Sequence, residues 1–450
     1  MDWSKLFPDK HVTDRGRGVL EYDDQMGPIA ALEEPMPHFE VFDKDRDERG
    51  RQAAELRSRR VLVVAPQPFY QDRGTPIAVW QVLQALAELE RPVDLLTFPI
   101  GSEVTAPQLR IFRSANPFGI RDIPIGFSLR KVMLDLPLTV ALAQRLARER
   151  YACIHAVEEA AFPATILARR YGIPLLYDMQ SSLAEQLTRG AFGCAPARGV
   201  LNAMERWLLR RSTLVVTSAG LAERVRGIIP GTPVREWHYP SAPADSSPEA
   251  VLSLRTRLGL SGPGPVVLYS GTFEAYQGLP ELIAAIPTVR AQVPGATFVL
   301  VGADPANGLV AHAGAEPLVE SGVLRIVDRQ PRAEMAAYLA LADVLVSPRA
   351  YGGNLPLKIF DYLAAGRPIV ATDIPTHRTV LTEDRAVLVA PRTDALARGI
   401  LTVLGDPGLA RRLAAAGRRY ADAHFGWGRF VGSVESLYAE VERHASVAGG

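Results

Sequence analysis

Short runs of consecutive apolar residues recur along the chain from Val61 onward, and turn-forming residues end each of them. A strand that is buried on both faces of a parallel sheet has this pattern, because neither face meets water. The segments between the runs have the three-to-four-residue apolar spacing of helices. The pattern predicts strands over residues 61–66, 93–98, 153–157, 174–177, 214–217, 266–271, 297–301, 323–327, 344–347, 368–372 and 386–389.

The alternation of strands and helices is interrupted between Ser241 and Pro265, a segment rich in serine, proline and glycine. This composition is typical of a linker. After it, a second strand–glycine loop–helix unit begins at Val266, as the first unit does at Val61. We therefore predict an α/β fold in which two Rossmann-like domains face each other across a central cleft.

The chain divides into four predicted regions. They are a charged N-terminal extension over residues 1–58, a first domain over 59–240, a second domain over 241–425, and a returning helix with a tail over 426–450. The apolar islands of the extension follow no helical or alternating period, which is typical of irregular or disordered chain. The last helix has no strand after it, and we expect it to cross back to the first domain.

Charge and cysteine content exclude several classes of protein. Fifty basic and 49 acidic side chains leave a net charge of +1, too balanced for a protein whose main partner is nucleic acid. Cys153 and Cys194 are too few for a disulfide framework or a four-ligand zinc site, and they fit a reducing, cytoplasmic compartment. No run reaches the ~18 apolar residues of a membrane span, and the first residues lack the pattern of a signal peptide.

The loop after the first strand contains a candidate phosphate site. Gly74 lies at the end of this loop, just before a helix predicted from Pro76. Backbone N–H groups at a helix start bind anions, and a glycine lets a phosphate approach them closely. The alternative is that Gly74 only permits a turn.

The most informative segment runs from Ser347 to Asp373. A strand ends, a Gly-Gly-Asn loop follows over residues 352–354, a helix is predicted from Pro356 to Gly366, and another strand leads to the aspartate. This segment resembles the donor-binding region of the retaining family 4 glycosyltransferases, which have the GT-B fold. Their pattern is Glu-Gly-Phe-Pro, an apolar helix with a second Glu, and then Ala-Ala-Gly-x-Pro-Val-Val-Ala-Thr-Asp.

Other motifs of that family occur in the same order along the chain. Residues 269–278 resemble the glycine loop that opens the second domain, and 301–304 are similar to its Val-Gly-x-Gly strand end. Residues 342–348 resemble its Ala-Asp-Val-Phe-Val-x-Pro-Ser strand, and 425–427 its Phe-Ser-Trp before the returning helix. The resemblance extends over residues 60–440 and leaves the N-terminal extension unexplained.

The resemblance implies that a nucleoside diphosphate sugar binds on the second domain and an acceptor, a cell-envelope glycan or lipid, on the first. It also implies same-face attack with retention of the anomeric configuration, without a protein nucleophile. The chain has no Asp-x-Asp motif in a suitable loop, so we expect neither a metal nor a cofactor, and helix N-termini and cations have to stabilise the leaving diphosphate. The predicted catalytic residues are Glu158, Asp178 and Lys358. The predicted donor-binding residues are Gly74, Gly271, Thr272, Gln277, Arg349, Gly353, Asn354, Leu357, Lys358 and Asp361.

The chain departs from the family pattern at several charged positions. The first Glu of the family falls on Gly353, and the second on Asp361, which is shorter by one methylene but still able to accept hydrogen bonds from two ribose hydroxyls. The Arg and Lys that hold the donor diphosphate fall on Thr272 and Gln277. A histidine that the family often has after the strand at Ile154 falls on Val157.

Lys358 is the candidate replacement for these missing cations, together with Arg349. It lies in the first turn of a predicted helix, where the dipole disfavours a cation by about 0.3–1 kcal/mol unless an anion is bound there. It is also the only lysine after Lys131. The alternative is that Lys358 only pairs with Asp361, three residues away on the helix surface.

The carboxylates predicted on the first domain also have alternative explanations. Glu158 and Glu159 either face the cleft or form a solvated turn at a helix start. Asp178, with Gln180, either faces the cleft or caps a helix predicted from Ser182. His155 is interpreted as a hydrogen-bonded core histidine rather than as a base.

Two basic segments of the first domain are compatible with contact to anionic lipid. Residues 130–150 contain Arg130, Lys131, Arg145, Arg148 and Arg150, and residues 204–211 are basic and amphipathic. The same composition is found in plain surface helices. Two rival functions also stay open, a sugar-nucleotide epimerase of the same architecture and a non-catalytic partner of another transferase.

Overall fold

A computed structural model describes residues 59–72, 74–123, 128–182, 195–241, 246–260, 262–303, 314–352 and 355–448. These residues belong to one compact unit, Arg49–Gly450. The predicted N-terminal extension, residues 1–58, lies outside the described residues, as do Gly353, Asn354 and Cys194.

The first domain is built on a parallel sheet of seven strands. Its spatial order is β3-β2-β1-β4-β5-β6-β7, so the chain reverses direction across the sheet between β1 and β4. Such a reversal opens a crevice at the carboxyl ends of the two strands. The strands are β1 Arg60–Ala65, β2 Val93–Thr97, β3 Leu109–Arg113, β4 Tyr151–Val157, β5 Leu175–Met179, β6 Leu214–Thr217 and β7 Val234–Glu236.

The second domain repeats this arrangement with six parallel strands in the order β10-β9-β8-β11-β12-β13, and its reversal lies between β8 and β11. Both sheets have the Rossmann order that the repeated strand–helix pattern predicts. The strands are β8 Val266–Ser270, β9 Thr297–Ala303, β10 Leu324–Asp328, β11 Val344–Ser347, β12 Ile369–Thr372 and β13 Val387–Val389.

Helices cover both faces of the two sheets. Those up to the linker are α1 Gly74–Glu88, α2 Leu129–Arg148, α3 Ala161–Tyr171, α4 Ala195–Leu209, α5 Ala219–Ile228 and α6 Pro248–Arg257. Those that follow are α7 Leu279–Gln292, α8 Glu316–Glu320, α9 Met335–Leu341, α10 Lys358–Ala364, α11 Pro375–Arg378, α12 Thr393–Gly405, α13 Pro407–His424 and α14 Trp427–Ala448. No helix in the described part of the chain is both long and apolar enough to cross a membrane.

The two faces of β1 show how the first core is filled. Val61 and Val63 belong to the apolar cluster that includes α1, whereas Leu62 and Val64 belong to the cluster beneath α2 and α3. All four side chains are buried. Because both faces are covered, the strand is apolar without alternation, and burial of each such side chain contributes about 1.5–3 kcal/mol.

The last helix crosses back to the first domain, as the sequence predicts. The indole N–H of Trp427 donates to Glu88 of α1 over 2.6 Å, and Glu440 pairs with Arg235 of β7 over 2.6 Å. Val434 joins the apolar cluster of β1 and α1. The second domain thus ends in a helix that belongs to the core of the first.

The segment between the domains contains a helix that its serine-, proline- and glycine-rich composition does not reveal. Residues 248–257 form α6, whose start is capped by Ser247: its hydroxyl accepts from the N–H of Ala250 over 3.2 Å. A serine cap followed by proline is a strong helix start. Leu254 anchors the helix to the core.

Candidate functional site

A cleft of about 660 Å³ lies between the carboxyl ends of the two sheets. The strand reversals of both sheets open into it, so the loops after β1, β4, β8 and β11 meet there. Every predicted site residue that the structure describes lines this cleft. They are Gly74, Glu158, Asp178, Gly271, Thr272, Gln277, Arg349, Leu357, Lys358 and Asp361.

Lys358 is the first residue of α10 and extends toward the end of β8. Its Nζ lies 3.1 Å from the amide Oε1 of Gln277 and 3.9 Å from the ring centre of Tyr269. Within the described residues no carboxylate forms an ion pair with it. Burial, together with the nearby charge of Arg349, holds the pKa of Lys358 well below its usual range. An anion bound beside Lys358 would oppose both effects and favour the protonated amine.

Arg349 provides a second cation on the same side of the cleft and is only 4% exposed. Its Nε donates to the carbonyl of Tyr351 over 2.8 Å, and its guanidinium lies 5.1 Å from the ring centre of Tyr276. The loop can hold this conformation because residue 352 is glycine. A Cβ at Gly352, where φ is +142°, would lie 1.8 Å from the arginine Nη2.

Gly271 leaves room for the side chain of Lys358, as Gly352 does for that of Arg349. Its φ is +141°, which favours glycine, and a Cβ there would lie 2.9 Å from the Tyr269 hydroxyl and 3.2 Å from the lysine Nζ. The Tyr269 hydroxyl donates to the carbonyl of Thr272 over 2.7 Å, which fixes the ring under the ammonium group. The glycine loop therefore shapes the immediate surroundings of the cation.

His377 lies behind these cations and was missed from the sequence. It is fully buried; its Nδ1 donates to the carbonyl of Thr372 over 2.7 Å, and its Nε2 lies 3.1 Å from the Ser347 hydroxyl. The pKa of His377 is lowered to about 4, chiefly by burial and also by Lys358 and Arg349, while the hydrogen bond to Thr372 opposes the shift. The ring is therefore neutral and serves as a scaffold for the two strand ends.

Asp361 lies one turn along α10 from Lys358 but does not pair with it. Its Oδ1 accepts instead from Nη2 of Arg332 over 3.3 Å. The alternative prediction, an ion pair between Lys358 and Asp361 within the helix, is therefore wrong. Arg332 also lines the cleft and was not predicted. The sequence could have indicated Arg332, because it follows the carboxyl end of β10 closely and ligands bind at the carboxyl ends of parallel strands.

On the first domain, Glu158 follows β4 directly in a left-handed conformation with φ +49°. Its Oε1 accepts from the Ser181 hydroxyl over 3.1 Å, and its Oε2 lies 3.6 Å from the Nζ of Lys131. Glu159 pairs with the same lysine over 2.5 Å. The two carboxylates are therefore tied to a cation, and the interpretation as a solvated turn is wrong.

Asp135 of α2 completes this charge cluster. Its pKa is raised to about 7, chiefly by burial and also by the charge of Glu159, while Lys131 opposes the rise. Burial would lower the pKa of Lys131, but Glu158 and Glu159 more than offset it and the net shift is upward. The cluster thus holds more acidic groups than cations at the rim of the cleft.

Asp178, the fourth residue of β5, is only 2% exposed but borders the cleft. Its Oδ1 accepts from the amide of Gln180 over 2.7 Å, and its Oδ2 lies 3.4 Å from Nε2 of His155. The Nδ1 of His155 lies 2.6 Å from the hydroxyl of Tyr438. His155 is therefore a hydrogen-bonded core histidine. The helix predicted beyond Ser182 lies outside the described residues.

The site can therefore bind an anion on the second domain and orient hydroxyl groups on the first. Lys358 and Arg349 supply positive charge, and Asp361 supplies a carboxylate beside them. Glu158 and Asp178 supply carboxylates across the cleft. Among the described residues, no three His, Cys, Asp or Glu side chains are grouped as metal ligands.

Two family models match the chain. The model "Glycosyl transferase 4-like domain" matches residues 50–238, and "Glycosyl transferases group 1" matches residues 264–406. A glycogen synthase of Mycobacterium tuberculosis is 28% identical over 287 residues, which is 63% of this chain and 67% of the relative. A phosphatidyl-myo-inositol mannosyltransferase of Mycobacterium leprae is 24% identical over 86% of this chain and 98% of its own.

Solved structures share the fold. A sucrose-phosphate synthase from Thermosynechococcus elongatus superposes with a TM-score of 0.70 at 24% identity, covering 84% of this chain and 98% of its own. HepE from Anabaena, solved with UDP-glucose, superposes with a TM-score of 0.66 at 16% identity, covering 84% of this chain and 99% of its own.

Proposed function

Since the chain belongs to the family 4 glycosyltransferases of the GT-B fold, we propose that it transfers a sugar from a nucleoside diphosphate sugar to a glycan or lipid-linked acceptor with retention of configuration. The observation that carries this proposal is Lys358. It is a buried cation at the carboxyl end of the second sheet, held by an amide oxygen and an aromatic ring instead of a carboxylate. A donor diphosphate supplies the missing negative charge.

In this proposal the leaving diphosphate contacts Lys358 and Arg349. The acceptor oxygen forms its bond to the anomeric carbon on the face from which the diphosphate departs. The diphosphate keeps the electron pair of the broken bond and takes the acceptor proton. Cations placed where this charge develops lower the barrier, and we propose that they do so without a metal or a cofactor.

The remaining predicted residues have proposed roles on either side of this diphosphate. Asp361 accepts from the ribose hydroxyls, and the N–H groups at the start of α1, beside Gly74, face the phosphates from the first domain. Glu158 and Asp178 orient the acceptor hydroxyl. We assign the donor contacts of the loop after β8 to Gly271, Thr272 and Gln277, and those between β11 and α10 to Gly353, Asn354 and Leu357.

A nucleotide screen tests the proposal. We expect one of UDP-, GDP-, ADP- or TDP-sugars to raise the melting temperature, because ligands that bind the native state stabilise it. The anomeric configuration of the product, measured by NMR, then tests retention. Interconversion of the nucleotide sugar without an acceptor would instead show an epimerase. Failure of all donors to bind would indicate a non-catalytic partner.

We further propose that the first domain docks on an anionic lipid surface. Three neighbouring helices on one side of the first sheet, α2, α3 and α4, carry most of the large apolar side chains that are exposed in the described residues. We call this surface the apolar–arginine face. Its apolar members are Leu129, Val132, Leu136, Val140, Ile166, Val200 and Met204.

The charges of the apolar–arginine face favour an anionic partner. Its exposed arginines are Arg130, Arg148, Arg169, Arg170 and Arg206. The acidic residues of the three helices, Asp135 and Glu205, are not exposed. Two basic residues of the predicted lipid-contacting segments form ion pairs within the protein instead: Arg145 pairs with Asp94 over 3.2 Å, and Lys131 pairs with the cleft glutamates.

Vesicle sedimentation tests this surface with a matched pair of variants. Leu136 and Leu252 are both 66% exposed, but Leu252 lies on α6, away from the apolar–arginine face. We expect wild type and Leu252→Glu to sediment with phosphatidylglycerol vesicles, and Leu136→Glu to bind several-fold less. Equal sedimentation of the two variants, or none of the wild type, would exclude lipid docking by this face.

A further inference from the structure

A chain of buried side chains connects the last helix to the cleft. Tyr438 of α14 and His155 of β4 are each 1% exposed, with 2.6 Å between the tyrosine hydroxyl and the histidine Nδ1. The Nε2 of the same ring lies 3.4 Å from Oδ2 of Asp178, which borders the cleft. A helix that continues from the second domain thus reaches a carboxylate in the site of the first.

The chemistry of the three groups fixes the direction of these hydrogen bonds. An ionised carboxylate only accepts, so the Nε2 of His155 must carry a proton toward Asp178. In the neutral ring Nδ1 is then bare and accepts from the Tyr438 hydroxyl. Burial raises the pKa of Tyr438 well above its usual value, so the hydroxyl keeps the proton that it donates.

The second oxygen of Asp178 is held from the opposite side. The amide of Gln180 donates to Oδ1 over 2.7 Å and also contacts the hydroxyl of Tyr239. Both carboxylate oxygens therefore have a donor from the protein, and the plane of the group is defined. Without the tyrosine hydroxyl, Nδ1 of His155 loses its hydrogen-bond partner, and the 3.4 Å contact with Asp178 alone has to hold the ring plane.

We infer that Tyr438 is a positioning residue for Asp178: its hydroxyl holds the ring of His155, whose Nε2–H keeps the carboxylate in the orientation needed at the reacting sugar. The inference rests on the proposed glycosyl transfer. The hydroxyl is not needed to dock the helix, because Val434 and Val441 bury apolar surface and Glu442 pairs with Arg91.

Kinetics with a matched control separate positioning from docking. The probe is the nucleotide sugar with the largest thermal shift, and the readout is release of nucleoside diphosphate with water as acceptor. We expect Tyr438→Phe to lower kcat five- to ten-fold with KM unchanged. Glu442→Gln, which weakens a docking contact without touching His155, should keep kcat within two-fold. In an Asp178→Asn background the tyrosine substitution should have no further effect.

The imidazole of His155 gives a second readout that does not require turnover. In ¹⁵N-detected imidazole spectra we expect the Nε2–H form in both proteins, with faster exchange of the Nε2 proton in Tyr438→Phe because the ring is no longer held at Nδ1. An Nδ1–H wild type, or a tyrosine variant with unchanged proton exchange or unchanged kcat, would overturn the inference. If no nucleotide sugar is turned over, the proposed transfer fails, while the spectra still decide whether Tyr438 holds the ring.

Discussion

Arg332 holds Asp361 from across the second domain, with 3.3 Å between Nη2 and Oδ1. The arginine follows β10, whereas the aspartate belongs to α10, and both line the cleft. The guanidinium therefore fixes one carboxylate oxygen of Asp361. In the proposed complex the ribose hydroxyls donate to a carboxylate that is already oriented, which lowers the entropy lost on binding.

Asp361→Asn should weaken nucleotide binding by about 1–2 kcal/mol, because charge-assisted hydrogen bonds to ribose are lost. Calorimetry should show the same loss for the nucleoside and the nucleoside diphosphate. Asp373→Asn is a matched control, since this carboxylate also pairs with an arginine, Arg378, but lies outside the cleft lining. Unchanged affinity in Asp361→Asn would show that the carboxylate does not bind ribose.

Lys358→Ala should reduce turnover at least ten-fold, about 1.4 kcal/mol. It should also weaken the nucleoside diphosphate more than the nucleoside, because only the former carries the anion. Arg367→Ala removes a cation just beyond α10 that bonds the carbonyl of Ala340 and does not line the cleft, so its kinetics should stay near wild type. Equal losses for both ligands would place the diphosphate elsewhere.

Diphosphate binding should be coupled to protonation of Lys358. The pKa of Lys358 is depressed in the free protein, and a bound anion raises it. At pH values between the pKa of the free protein and that of the complex, binding therefore takes up a proton. Affinity should therefore fall as pH rises through that window. Calorimetry in buffers of different ionisation enthalpy measures the uptake directly, and Lys358→Met should abolish it. A wild type without proton uptake contradicts this coupling.

Asp135 should make the folded protein less stable at high pH. The pKa of Asp135 is about 7 in the folded protein, against an ordinary value of 3.8. At pH values between these two, the folded protein keeps a proton on Asp135 that the unfolded chain has lost. Stability then falls as pH rises through this window. Asp135→Asn should be more stable than wild type at pH 8 by an amount of order 1 kcal/mol, with a smaller gain at pH 5. Urea unfolding at both pH values measures it, and an equal effect at the two would contradict the shift.

The sequence predicted the central strands of both sheets but not two strands at the edges of the first. Two arginines interrupt the apolar residues of 109–113, and residues 234–236 are too short to form an apolar run. Each of these two segments is hydrogen-bonded to another strand on one side only, and each is partly exposed. Continuous apolar runs mark strands that are buried on both faces, so this criterion could not find them.

The positions of the site residues were predictable, but their partners were not. A lone lysine at a helix start indicated Lys358, and the helix does begin there. Its neighbours Tyr269 and Gln277 come from β8 and the segment that follows it, more than eighty residues earlier in the chain. Ion pairs such as that between Lys131 and Glu159 likewise depend on which helix lies over which strand end, and residue spacing does not encode this.

The crossing of α14 has a consequence for biosynthesis. Val434, Leu437 and Val441 fill part of the apolar cluster that β1 and α1 need. On the ribosome, the N-terminal half of the chain emerges first, yet its core stays open until the last helix has been made. A nascent chain that stalls within the second domain therefore displays an unfinished apolar surface to chaperones and proteases, and deletion of the C-terminal helix damages the domain that was synthesised first.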